Sequence, residues 1–169
     1  NGNPGVTFVD IFARPAVADN PDAGTIIETG EAAVALTGIA GTDRVGTIQV
    51  FDGNGEQSGF WTATDGGAAV ELATGQVTAW QRFTLRTDYV AKRWDLFLNG
   101  RLIAANLGFL DNTATRFGSL SLNGHATLPT GFDDVFVGFD NPLFTDADKD
   151  GMDDTWEPAN GLNPAVNAR

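Results

Sequence analysis

The chain is expected to fold as an all-β sandwich or barrel, followed by a short acidic C-terminal loop and a one-turn helix. Three observations carry this expectation. Nearly everything before residue 140 breaks into short apolar runs punctuated by glycine turns, with 21 Gly among 169 residues and no long helical period. The run from Trp80 to Tyr89 alternates apolar and polar residues with the two-residue period of a half-buried strand. Residues Asp146 to Glu157 place carboxylates and one glycine at the spacing of a calcium loop.

The elements follow in order. Val6 to Phe12 forms a first strand, ended by Arg14-Pro15, and Glu31–Thr37 and Arg44–Phe51 follow on either side of a loop bearing Gly38 and Gly41. Asp52-Gly-Asn-Gly55 is a hairpin turn with glycines available for positive φ, leading into Gly59–Thr64. Asp65-Gly-Gly turns the chain again. In the next strand Phe83 and Leu85 take one face while Arg82, Thr84 and Arg86 take the other. Arg93–Leu98, Asn99-Gly100 and Arg101–Ala105 make a hairpin on a type I′ turn, because both central residues tolerate positive φ. Ser119–Leu122 and Asp134–Phe139 bring the total to about ten strands, the signature of a sandwich or barrel.

Three of these segments resemble the concanavalin A-like, or laminin G-like, jelly-roll family. They are Trp80-Gln-Arg-Phe-Thr-Leu, Trp94-Asp-Leu-Phe-Leu-Asn-Gly-Arg-Leu-Ile, and Gly131-Phe-Asp-Asp-Val-Phe-Val. The resemblance spans roughly residues 5 to 144. It implies an antiparallel two-sheet jelly-roll sandwich whose last strand returns beside the first, with the calcium loop emerging at the domain's edge. The division expected is therefore a sandwich over 1–144 and a calcium repeat with its tail over 145–169.

In the loop, Asp146, Asp148, Asp150, Asp154 and Glu157 supply carboxylates at positions 1, 3, 5, 9 and 12, and Met152 offers its backbone carbonyl at position 7. Gly151 allows the sharp turn at position 6, and Glu157 has the reach for a bidentate contact. Six to eight oxygens suit Ca2+ better than Mg2+, which prefers a smaller octahedron and keeps its waters. Without the ion, five carboxylates on one small loop repel one another, so the segment is expected to be disordered in chelator. No entering helix fits across Phe139–Thr145, where Asn141-Pro142 breaks the chain. Asp154 and Glu157 form a candidate capping box, and Gly161 stops the exiting helix after about a turn and a half. This stretch, with the following Ala-Asn-Gly-Leu-Asn-Pro, resembles the thrombospondin type 3-like calcium repeats of bacterial surface proteins. The resemblance implies a stiff connector on an extracellular chain.

Composition narrows the partners. The net charge is −12, with Lys92 and Lys149 the only lysines and nine of 22 acidic residues between Asp133 and Glu157. Nucleic acid and anionic membrane are disfavoured, because binding there rests on basic patches. No apolar run approaches 18 residues, so no membrane insertion is expected. The absence of cysteine removes disulfides, thiolate metal sites and a cysteine nucleophile. The chain opens Asn-Gly-Asn-Pro without a basic and apolar leader, so a secretory signal is expected to have been removed.

Catalysis finds little support. The hydrolases among relatives of this fold carry Glu-x-Asp-x-x-Glu on one strand, a pattern missing here, and adjacent Asp133 and Asp134 are expected on opposite faces. His125 reads as an exposed loop residue. Trp61, Trp80 and Trp94 read first as sheet-packing residues and second as platforms for sugar rings, and Trp156 as a residue packing the loop onto the sandwich or a neighbour. Asp52, Asn54 and Glu56 read as a bare turn ahead of a second calcium site, while Asp133, Asp134 and Asp140 are a lesser candidate for an edge cation site. The expected role is a non-catalytic, extracellular calcium-binding module for cell-surface recognition or adhesion, its partner a glycan or surface protein. The competing role is a subunit whose copies assemble into a calcium-stabilised filament or layer.

Overall fold

The computed structural model describes residues 5–14, 23–38, 45–63, 69–73, 77–78, 80–124, 129–145, 147–148, 152–154 and 156–166. Among them, twelve strands and one short helix follow in order: β1 (Val6–Arg14), β2 (Ala23–Glu28), β3 (Ala33–Gly38), β4 (Val45–Gly53), β5 (Gly59–Ala63), β6 (Ala69–Ala73), β7 (Val77–Thr78), β8 (Gln81–Asp88), β9 (Arg93–Leu98), β10 (Arg101–Gly108), β11 (Ser121–Asn123), β12 (Gly131–Gly138) and α1 (Trp156–Ala159). They form two antiparallel sheets. The first has the order β10-β9-β8-β1-β12. The second runs β11-β2-β3-β4-β6-β7, with β5 pairing the other half of β4. The last strand does return beside the first: Val9 pairs Val137 and Asp10 pairs Phe136.

One core joins the sheets. Val9, Ile11, Phe83, Leu85, Trp94 and Leu96 from the first meet Ile27, Val34, Leu36, Ile48 and Val50 from the second, all at or near complete burial. Alternate positions on each strand supply these side chains, as the two-residue period requires. Beside that core, Gly53 and Gly108 let β4 and β10 cross backbone to backbone, since a Cβ on either would collide with Phe109 O or Gly53 O.

The hairpin at Asn99-Gly100 has the expected geometry, with φ of 51° and 80°. The turn after Asp52 is longer than two residues: β4 and β5 close at Gly53 and Gly59, and Asn54 Nδ2 donates to Ser58 Oγ at 2.8 Å. Strands β2, β6 and β7 were not expected. Register slips between β1 and β12 around Ile11, where Asp134 takes φ of 48° and donates its N–H to Asp133 Oδ1 at 2.9 Å.

Two of the three tryptophans depart from the packing role. Trp94 is fully buried. Trp61 is 41 % exposed because β5 carries it on the face turned from the core, and Trp80 is 46 % exposed at the entrance to β8 beneath Arg14. The side chain of Trp156, like the whole of His125, lies outside the described residues.

A buried acid closes one end of the core. Glu31 accepts a hydrogen bond from the Tyr89 hydroxyl at 3.0 Å, and Tyr89 packs edge-to-face on Phe109. Burial raises the Glu31 carboxyl above its ordinary value, only partly offset by the Tyr89 bond. Burial, then the Glu31 charge and the bond to it, raise the Tyr89 phenol well above 10.0. A group raised in the folded state contributes stability that is present below its unfolded value and lost as pH climbs through the folded one. The intact chain should therefore lose stability above pH 10.0, as Tyr89 ionises on unfolding. In Tyr89→Phe that alkaline limb should flatten, while stability near neutrality falls by about 1–3 kcal/mol as a buried acceptor loses its donor. Urea midpoints measured from neutral to alkaline pH check both effects.

Candidate calcium site

The site begins on the outer face of the first sheet. Asp10 on β1 and Thr84 on β8 lie on the side opposite Ile11 and Leu85, yet both are buried. Arg82 on β8 explains how. Its Nε reaches both Asp10 oxygens at 3.1 and 3.0 Å, and its Nη2 reaches Oδ2 at 2.8 Å. Thr84 Oγ1 donates to Oδ1 at 2.5 Å. The same Nη2 donates to the carbonyl of Pro142 at 2.9 Å. The chain leaving β12 is thus tied across this face, not merely released at the sheet's edge. A cavity of about 410 Å³ separates the two, lined by Phe8, Arg86 and Phe97 on one side and Leu143, Phe144 and Asp153 on the other.

Past Phe144 the chain curls. Asp154 N–H donates to Thr145 O at 2.8 Å, Thr145 N–H to Asp153 Oδ2 at 3.2 Å, and Ala147 N–H to Asp154 Oδ1 at 2.9 Å. These bonds bring Thr145 and Ala147 against Asp153 and Asp154. Then α1 follows, four residues long. Its end is shaped by Gly161 at φ of 78° and by Leu162 N–H donating to Glu157 O at 2.9 Å.

The capping box does not form. Asp154 Oδ1 takes the Ala147 N–H across the loop, and the Glu157 N–H goes to Asp153 O at 3.0 Å. Closing the loop has competed with capping the helix for the same carboxylate.

Of the six expected ligands, Asp146 and Asp150 lie outside the described residues. Asp148, Met152 and Asp154 are half-buried on the curl, and Glu157 is 0 % exposed. Both Glu157 oxygens and Oδ2 of Asp148 are sealed from water. Carboxylates removed from water to this degree require concentrated positive charge or several donors. A hard divalent cation with an all-oxygen ligand set meets that requirement, so the residues present fit Ca2+. They would hold it through the Asp148 and Glu157 carboxylates, an oxygen of Asp154 and the Met152 carbonyl. Bound there, the ion would offset the repulsion among the acids.

The lesser candidates are otherwise employed. Asp52 Oδ1 accepts from Gly108 N at 2.7 Å, and Asn54 Oδ1 accepts from Glu56 N at 2.9 Å, the bonds of a structural turn. Among the described residues no three acidic or histidine side chains gather as a metal group, neither Asp133, Asp134 and Asp140 nor Asp148, Asp154 and Glu157. Arg82 and Thr145 were missed in the sequence. Nothing near Arg82 marks a clamp whose partners lie 72 and 60 residues away, and Thr145 stands just outside the ligand spacing.

The chain matches no family model, and no curated protein matches it in sequence. Among the described residues no helix is long and apolar enough to cross a membrane.

Replacing Asp148 and Asp150 together by Ala should abolish calcium binding in isothermal titration calorimetry while leaving the β signature in circular dichroism. A double variant that loses the β signature as well would make the loop part of the folding core.

Proposed function

We propose that this chain is a secreted bacterial jelly-roll module, non-catalytic, whose C-terminal loop binds calcium and whose sandwich recognises a surface glycan. The observation that carries the calcium half is Glu157. The last acid of the loop is completely buried, and Asp154 N–H closes the chain before it onto Thr145 O, so a cation there would offset a charge already withdrawn from water. Calcium at the millimolar level found outside cells fills loops of modest affinity, which supports an extracellular setting. The recognition half rests on the three segments that resemble the laminin G-like family. Ordered by calcium, the loop would hold the exiting chain in one direction against the Arg82 clamp.

A second reading, self-assembly, has an observation of its own. The edge strand β12 leaves Val135, Phe136 and Val137 exposed, with Phe139 and Phe144 beside them. An apolar sheet edge of this kind is a template for pairing with another chain.

Light scattering after size exclusion, in millimolar calcium and in chelator, separates the two. Recognition predicts a monomer in both conditions and saturable, calcium-supported binding to one glycan class on an array. Large species formed only in calcium would favour assembly, and an array without a hit would remove the glycan.

A further inference from the structure

Across the second sheet, on the face turned from the core, one row of opposed residues crosses five strands. Ser121 pairs Glu28, Glu28 pairs Ala33, and Phe51 pairs Trp61. Val34 pairs Val50, which sets Ala33 beside Phe51 and completes the row. Its sequence neighbours Ile27, Val34 and Val50 are buried in the core, so alternation turns the row outward. The row floors a pocket of about 420 Å³, walled at one end by Gly30, Glu31, Ala32, Leu110 and Ser119. That volume is within the range of small-ligand sites.

The lining is graded. At one end stand the carboxylates of Glu28 and Glu31 with the hydroxyls of Ser119 and Ser121. Ala33, in the middle, leaves a trough. At the other end Phe51 and Trp61 meet edge-to-face, centroids 5.6 Å apart and planes at 73°. No basic side chain is among the described residues that line the pocket. The walls are fixed in advance. Leu110 N–H donates to Glu31 O at 3.0 Å, Gln57 N–H donates to Leu110 O at 2.8 Å, and Tyr89 holds the Glu31 carboxylate at 3.0 Å. A preset wall lowers the ordering cost of binding.

We propose that this pocket binds an organic cation, an ammonium group on an apolar stem. The ammonium sits at Glu28 and Glu31, and the stem lies over Ala33 against Phe51 and Trp61. Carboxylates and aromatic faces both present negative potential, so the two ends of the pocket agree in sign. From β2 to β5 is three strand spacings, about 14 Å, which accommodates a stem of several carbons. A neutral polyol would use the hydroxyls but gain little from a second carboxylate, and an anion would be repelled. The site stands on the sheet opposite the calcium clamp and does not depend on the glycan reading.

The test titrates phenethylammonium into the intact chain in calcium buffer, following the Trp61 indole N–H by NMR, with 2-phenylethanol and phenylacetate in parallel. Saturable binding is expected for the ammonium, at least roughly tenfold tighter than for the alcohol, and none for the carboxylate. Glu28→Gln, nearly isosteric at a half-exposed strand position, should erase the preference for the ammonium, whereas Trp61→Ala should weaken both ligands. An unchanged urea midpoint for Glu28→Gln shows that the fold is intact. Equal affinity for ammonium and alcohol, no saturable binding of the ammonium, or tighter binding of a neutral disaccharide such as cellobiose at Trp61 would each overturn the proposal.

Discussion

The guanidinium of Arg82 is the contact on which the arrangement turns. A chain with 22 acidic and ten basic residues must still bury some of its carboxylates, and each one buried demands compensation. Asp10 receives a two-pronged arginine and a threonine hydroxyl, a planar fork matched to a carboxylate. Because the same Nη2 also reaches Pro142 O, the neutralised acid becomes an anchor for the chain that leads into the loop. Removing either partner would strand a charge inside the covered face, a loss of about 3 kcal/mol by analogy with other buried pairs.

Glu31 and Glu157 pose the same problem with different solutions. Glu31 is met by a phenol, a neutral donor that offsets only part of the upward push of burial on its carboxyl. Glu157 is the most completely buried of the three acids, and the loop above it is the richest in further carboxylates. A cation at that point would relieve the whole cluster at once, whereas a single hydrogen bond would relieve only one member. Calcium binding, as proposed, would be a folding reaction of the C-terminal segment, beside a sheet where the Asp10–Arg82 contact holds Pro142.

Legibility in the sequence followed the range of the interaction. Asn99-Gly100 and the alternation of Phe83 and Leu85 depend on neighbours a few residues away, and both are as expected. The spacing of acids and glycine over Asp146–Glu157 is equally local in origin, and bonds among Thr145, Ala147, Asp153 and Asp154 close the chain in that stretch. Strand β2 escaped notice because Thr25-Ile-Ile is too short to show a period. Thr84 reads as a solvent-facing residue on its strand and is buried, since what covers its face includes an arginine clamp to a segment 60 residues further along. Trp61 and Trp94 are alike in pattern and opposite in fate: β9 turns one into the core, and β5 turns the other into an outward row with Phe51. Asp154 satisfies the spacing of a capping residue, but the loop's own closure claims its oxygen.

The most direct measurement is hydrogen exchange across the whole chain, with millimolar calcium and with chelator. The account predicts that amides of Thr145, Ala147, Asp154, Asn160 and Leu162 are protected only when calcium is present, while those of β1 and β8 exchange equally slowly in both. Equal protection of the 145–162 segment in chelator would contradict it, because the buried Glu157 would then be held without the ion.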